Sequence, residues 1–225
     1  MPPLDPSRSA RLLAIGLLFA VVVNCPAETK GKRVEGGRNA SDCVIVEYKN
    51  SKGGAYTWYY CPSSRIFVQP NERWITNFDT GIETRVLDKD RKVQKLPISV
   101  KQEWRRPELA RRKSVSITPT GKTDVIAGVA AREYLFQFTY DAQQVEVGQW
   151  FATDMPVPGR DKAIASDIDT DLAPRIPPGI FLRSDGREAT SVRRGTPPET
   201  VLQIPADYQK VHWSAEKNGW EADGG

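Results

Sequence analysis

One stretch of the chain has residues that could handle phosphate. "TGKTD" sets Gly121-Lys122-Thr123 in the order that ends a phosphate-cradling loop, where backbone N–H groups wrap the phosphates and the lysine meets their charge. That loop needs a glycine five residues before Gly121, and Ser116 stands there. Pro119 lies inside the would-be cradle and has no N–H to give. A cradle must also open a helix, whereas "DVIAGVAAREYLFQF" turns at Gly128 and continues as a strand. The segment therefore reads as a tight turn between strands. Asp167, Asp169 and Asp171 alternate like the opening of a calcium loop, but Leu172 and Pro178 occupy the positions that need Gly and Glu. His212 is the single histidine, with no G-x-S-x-G turn and no C-x-x-C. A hydrolytic triad or a zinc site has little to be built from. Paired carboxylates need not be close in sequence, and no spacing here favours them. The reading is a non-enzymatic protein with no metal or cofactor.

Cysteine chemistry is the better-founded signal. "VIVEYKNSKGGAYTWYY" reads as strand, turn at Lys52-Gly53-Gly54, strand, with Cys43 and Cys61 at the two open ends. A disulfide there is geometrically reasonable, and closing a loop of this size is worth about 3 kcal/mol in the chain-entropy model. Two buried thiols are the alternative. Export agrees with a bridge. Arg8 and Arg11 precede an apolar run from Leu12 to Val23, and "NCPA" ends it in small residues. This is the layout of a secretory signal peptide cut near Ala27. A lipoprotein anchored at Cys25 is the lesser reading, because Asn24 replaces the small residue such a signal wants. Residues 1–27 are thus expected to be a leader, 28–212 a single domain and 213–225 a flexible tail. The expected compartment is the periplasm or the exterior.

The elements that position these residues are mostly strands. Short apolar–polar alternations recur in "RIFVQP", "RWITNF", "IETRVL" and "RKVQKLPISV", the last two joined at the polar turn 88–91. "KSVSITP", "AREYLFQFTYD" and "QQVEVGQWFATD" follow, and "GIFLRSDGREATSVRRG" folds back around Ser184-Asp185-Gly186. Helices are expected over Pro107–Lys113, with Pro107 near its first position, and over Asp161–Ala173, ended by Pro174. The fold class is mainly β: a curved antiparallel sheet or open half-barrel with one or two helices packed in or across its concave face.

Aromatic residues concentrate on one side of these strands. Tyr134, Phe136, Phe138 and Tyr140 alternate with Leu135, Gln137 and Thr139, so period two lines them along one face. Tyr56, Trp58 and Tyr60 repeat the pattern, as do Trp74 and Phe78, and Trp150 adds a ring on the next strand. Such rings either fill a core or line a concave apolar surface for a ligand or a partner's apolar segment. Under the second reading the ligand-binding residues are Trp58, Trp74, Phe78, Tyr134, Phe136, Phe138, Tyr140 and Trp150. The charge balance, 32 Lys and Arg against 28 Asp and Glu, is interspersed. Its densest basic run, "RRPELARRK", reads as a solvated helix face, so no nucleic-acid partner is expected.

Thr120-Gly121, Ile126-Ala127-Gly128, "WFATDMPVP" from Trp150 to Pro158, the strand Gly179 to Ser184 and the closing "IPADY" from Ile204 to Tyr208 recur in one order. In that order the chain, from about Ser114 to Val211, resembles an uncharacterised family of secreted bacterial proteins with the LolA/LolB-like lipoprotein-carrier fold. The resemblance implies a strongly curved antiparallel sheet wrapped partly around helices, with an apolar concave face. In the carriers that cavity holds lipid chains. It further implies a lipid, an acyl chain or a lipoprotein as partner, with at most peripheral membrane contact. An envelope protein-interaction or sensor module is the alternative. Many members carry a cysteine after Ile-Ala-Gly where this chain has "VAARE", so within the family pattern its disulfide would be Cys43–Cys61.

Overall fold

A computed structural model describes residues 43–161, 176–214, 216–217 and 219–222. The leader, Cys25, the domain's first residues, and all but the first residue of the helix expected over 161–173, with Asp167, Asp169 and Asp171, lie outside the described residues.

The described chain is mainly β. A first hairpin joins β1 (Cys43–Asn50) to β2 (Ala55–Tyr60), and a meander follows through β3 (Ser64–Gln69), β4 (Glu72–Asn77), β5 (Ile82–Leu87) and β6 (Lys92–Pro97). Helix α1 (Ile98–Ala110) separates these from β7 (Arg112–Ile126), β8 (Val129–Tyr140) and β9 (Gln143–Ala152). Then come β10 (Ile180–Ser184), β11 (Arg187–Gly195), the one-turn helix α2 (Glu199–Leu202), β12 (Gln209–Ser214) and β13 (Gly219–Ala222). All thirteen strands form one open sheet in the order β13-β12-β6-β5-β4-β3-β2-β1-β11-β10-β9-β8-β7.

Turn chemistry accounts for the hairpins. Asn50 Oδ1 accepts from the Lys52 and Gly54 amides, and Gly53 takes φ 81°. At the β7–β8 turn, Ala127 and Gly128 both have positive φ, as a two-residue hairpin turn requires. Gly179 is obligatory for a second reason: at φ +105° a Cβ there would stand 2.0 Å from the Ala152 carbonyl oxygen.

The sheet has two covered regions. On its inner face Val46, Tyr48, Trp58, Phe136, Phe151 and Phe181 form the main core, with Val157 from the segment after β9. Tyr48 is 1 % exposed, and its hydroxyl donates to the Phe181 carbonyl at 2.5 Å across 133 residues. On the outer face Ile45, Tyr59 and Ile66 surround the Cys43–Cys61 disulfide, whose Cα atoms are 4.3 Å apart. Asp124 of β7 bonds Arg183 of β10 at 2.8 Å although β8 and β9 lie between them, so the sheet curls at that end.

The structure departs from the sequence reading in four places. The first helix is Ile98–Ala110, with Pro107 inside it rather than at its start, and Arg112 already belongs to β7. The helix was hidden because only Ile98 is buried, leaving no apolar stripe of helical period to see. Gly121 lies within β7 at the register shift between Pro119 and Thr123, so that it supplies no turn between strands. The sheet is not wholly antiparallel: β12 runs parallel to β6. The segment read as a flexible tail contains the end of β12 and all of β13, paired as a hairpin with Trp213 opposite Trp220.

The parallel pair follows from the chain's path. Between Gly195 and Gln209 the chain passes from β11 to β12, across the six strands β1 to β6. Val201 of α2 packs on the outer core during this crossing. Arg73 of β4 ties the strap down, donating to the carbonyls of Thr200, Val201 and Gln203 at 2.6, 3.3 and 3.1 Å. Such a crossover, unlike a hairpin, delivers a strand in parallel.

Candidate functional site

Strand pairing sets an aromatic row on the inner face. Trp58 of β2 faces Phe67 of β3, which faces Trp74 of β4, which faces Arg85 of β5. Ring centroids are 4.9 Å apart for Trp58–Phe67 and 5.3 Å for Phe67–Trp74, with Tyr56 5.5 Å from Phe67. These rings are the floor of a cavity of about 670 Å³, within the roughly 300–1,000 Å³ usual for small-molecule sites. Helix α1 supplies the opposite wall through Lys101, Trp104 and Arg105. The helix stands off the sheet because it buries so little. Trp104 is 46 % exposed and meets Trp213 of β12 edge-on at 4.7 Å.

The neighbouring row carries charge. Arg65, Thr76 and Glu83 face one another across β3, β4 and β5. Glu83 is 1 % exposed; one carboxylate oxygen accepts from Lys101 Nζ at 2.6 Å and from Thr76 Oγ1 at 3.3 Å, the other from Arg85 Nε at 2.8 Å. Burial by itself would raise the Glu83 carboxyl, but Lys101 and then Arg85 outweigh it and hold it below the ordinary carboxylate range. Burial pushes Lys101 down to about 8, with Glu83 opposing and Arg65 and Arg105 adding to the fall. Arg65, buried at 4 % exposure over the Trp58 ring, is pushed down to about 10, chiefly by burial. Arg85 lies over Trp74 at 4.9 Å. The cavity is also lined by Ser51, Gly186 and Arg187, whose guanidinium sits 4.3 Å from the Phe181 ring.

The eight residues singled out from sequence go to different places. Trp58 and Trp74 meet in this cavity. Tyr134 and Phe136 pack instead on Phe151, at 5.9 and 6.1 Å, inside the main core. Phe138 is buried beneath Arg112, and Tyr140 lies beside Arg111 at 4.7 Å. Trp150 is covered by Arg183 at 4.5 Å. Phe78 sits in the turn after β4, its amide bonded to the Ser63 carbonyl. Sequence reasoning missed Phe67, Arg65 and the Glu83–Lys101 pair. Their signal was present: Arg65 and Phe67 in "SRIFVQ", and Glu83 and Arg85 in "IETRVL", hold the same alternate positions as the tryptophans.

Lys122, of the phosphate-loop-like stretch, is paired with Glu133 at 2.9 Å on the sheet surface. His212 lies in β12 with its Nε2 3.9 Å from a Glu221 oxygen. Among the described residues no group of three His, Cys, Asp or Glu side chains could hold a metal ion. No helix among them is long and apolar enough to cross a membrane. The disulfide suggests an oxidising, extracytoplasmic compartment. Comparison with known proteins returns no matching family model and no matching curated protein.

Proposed function

We propose that this chain is a non-enzymatic binding protein of the bacterial envelope, exported after cleavage near Ala27, that holds the apolar body of a lipid or acyl chain in a LolA-like half-barrel. The observation that carries the reading is the cavity of about 670 Å³ floored by Trp58, Phe67 and Trp74. Phe67 and Trp74 line the cavity beside the buried Trp58, and an apolar floor facing a cavity of this size suits a ligand. The disulfide and the curl of the sheet agree with it. The test is mass spectrometry of the protein purified without detergent, intact and after solvent extraction. A stoichiometric lipid that disappears in Trp74→Ala, with an unchanged circular dichroism spectrum, is the expected result. A lipid-free protein that also fails to bind a neutral apolar dye overturns the reading.

A different observation favours a second reading, an envelope interaction or sensor module. Strand β7 edges the sheet over 15 residues, and Val125 on it is 70 % exposed. An edge strand can accept a partner strand. Co-purification of a protein in place of a lipid would shift the assignment to that module.

A further inference from the structure

We propose that Arg160 is the seat of a monovalent oxyanion, a carboxylate held on the fork of its guanidinium. The residue is 5 % exposed, and none of its three side-chain nitrogens has a hydrogen-bond partner among the described residues. Arg160 does not line the aromatic cavity, so this seat goes beyond the binding reading above.

The backbone that delivers the side chain is closely packed. Val157 is buried in the main core. Gly159 has φ +65°, and it lies so near the turn after β2 that a Cβ there would stand 2.5 and 2.6 Å from the carbonyl oxygens of Cys61 and Pro62. Arg160 follows directly on this stretch. Other buried cations have a carboxylate at hand: Lys101 meets Glu83 at 2.6 Å, and Arg112, whose side chain is 4 % exposed, meets Glu108 at 2.8 Å. Arg160 has Asp161 beside it in the chain, but Asp161 is exposed and accepts from none of the three nitrogens.

A buried charge without hydrogen bonds is costly, and native proteins satisfy it. Arg160 does not escape by giving up its proton. Burial pushes it down to about 10, against the pull of Asp161, so the guanidinium is still charged at neutral pH. A water accepts from an N–H but brings no charge. A carboxylate does both, and its two oxygens match the guanidinium fork. One cation balances one negative charge. A dianion such as sulfate would carry its second charge uncompensated into the same low dielectric, with Asp161 adjacent.

The test is isothermal titration calorimetry of the full mature protein, dialysed into chloride buffer, with formate, acetate and sulfate. Thermal scans in the same salts at equal ionic strength accompany it. Formate, acetate or both should bind one to one and raise the thermal midpoint saturably, by about 5 °C at a hundred times the dissociation constant. Sulfate should bind about tenfold more weakly or less. Sulfate also stabilises proteins by exclusion from their surface, and Arg160→Met measures that part. This variant should take up no carboxylate and, in chloride alone, be at least as stable as the wild type, since it removes an uncompensated charge. Arg160→Lys keeps the charge without the fork and should bind about tenfold more weakly. No carboxylate binding to the wild type overturns the proposal, and this arm decides even where a variant fails to fold. Equal binding in the wild type and Arg160→Met overturns it too. Tighter binding of sulfate overturns the carboxylate assignment.

Discussion

Two halves of the same inner face use aromatic residues in opposite ways. In the half built from β8, β9 and β10, Phe136, Phe151 and Phe181 are buried and pack on one another and on Tyr48. In the half built from β2 to β5, Trp58, Phe67 and Trp74 make a row just as close, yet it faces a cavity. The first row is covered by its own neighbours and by the segment after β9. The second is covered by a helix that keeps its distance, because an ion pair and an edge-on tryptophan contact hold it in place of an apolar stripe. Alternation along a strand decides which face a ring occupies. What lies over that face is decided by elements far away in the chain.

The contrast can be broken most forcefully in the packed half. Phe136→Ala should cost about 3–5 kcal/mol of stability, as for other buried aromatic truncations, read by chemical denaturation. Phe136→Ser should leave the protein unfolded or nearly so. Next is Glu83→Gln, which leaves Lys101 and Arg85 without their buried counter-charge. A loss of about 3–5 kcal/mol is expected from removing one member of a buried pair, and a smaller one in Glu83→Gln with Lys101→Met. Serine at both Cys43 and Cys61 should cost about 3 kcal/mol and lower the thermal midpoint without touching dye binding at a temperature where the protein is folded. Trp74→Ala sharpens the comparison from the other side: about 1 kcal/mol or less in stability, but loss of dye binding.

The smallest effect is one of pH. Lys101 is faced by Glu83 from β5, by Arg65 from β3 and by Arg105 on its own helix, and it gives up its proton at about 8 where a free lysine does so at 10.5. Between about 8 and 10.5 the unfolded chain holds a proton that folded Lys101 has released, so this group's contribution to stability rises with pH. Glu83 has the opposite signature: its contribution is present above the ordinary carboxylate range and is lost as pH falls through its lowered value. Thermal scans across this range separate the two, and Lys101→Met should abolish the alkaline rise in stability.

Much of the meander was legible because its signals are local. Lys52-Gly53-Gly54, Asp88 to Arg91 and Ser184-Asp185-Gly186 each join strands where turn residues interrupt alternation. The Cys43–Cys61 bridge was legible because it closes one of those hairpins. The helix over Ile98–Ala110 was not, since its sequence buries almost nothing and Pro107 pointed to a start that does not exist. Neither was the neighbour of β1 on the side away from β2. That neighbour is β11, more than a hundred residues on, and no local pattern specifies it. The candidate site was half legible for the same reason. Trp58 and Trp74 stood out as rings, but the charged partners that distinguish their half of the face come from three strands and a helix that only the folded chain brings together.

The parallel pairing of β6 with β12 has a consequence for how the chain acquires this form. Strands β1 to β6 can zip into hairpins as they emerge, each pairing with the one just before it. The free edge of β6 then waits through more than a hundred residues for Gln209–Ser214. Until that strand arrives, Trp104 lacks the Trp213 ring it leans on, and the helix that walls the cavity is without that contact. Completion of the cavity is thus a late event in the life of each molecule. A chain stalled or clipped shortly before Val211 would present an unpaired strand edge beside an exposed aromatic floor, the combination that chaperones and proteases recognise as unfinished.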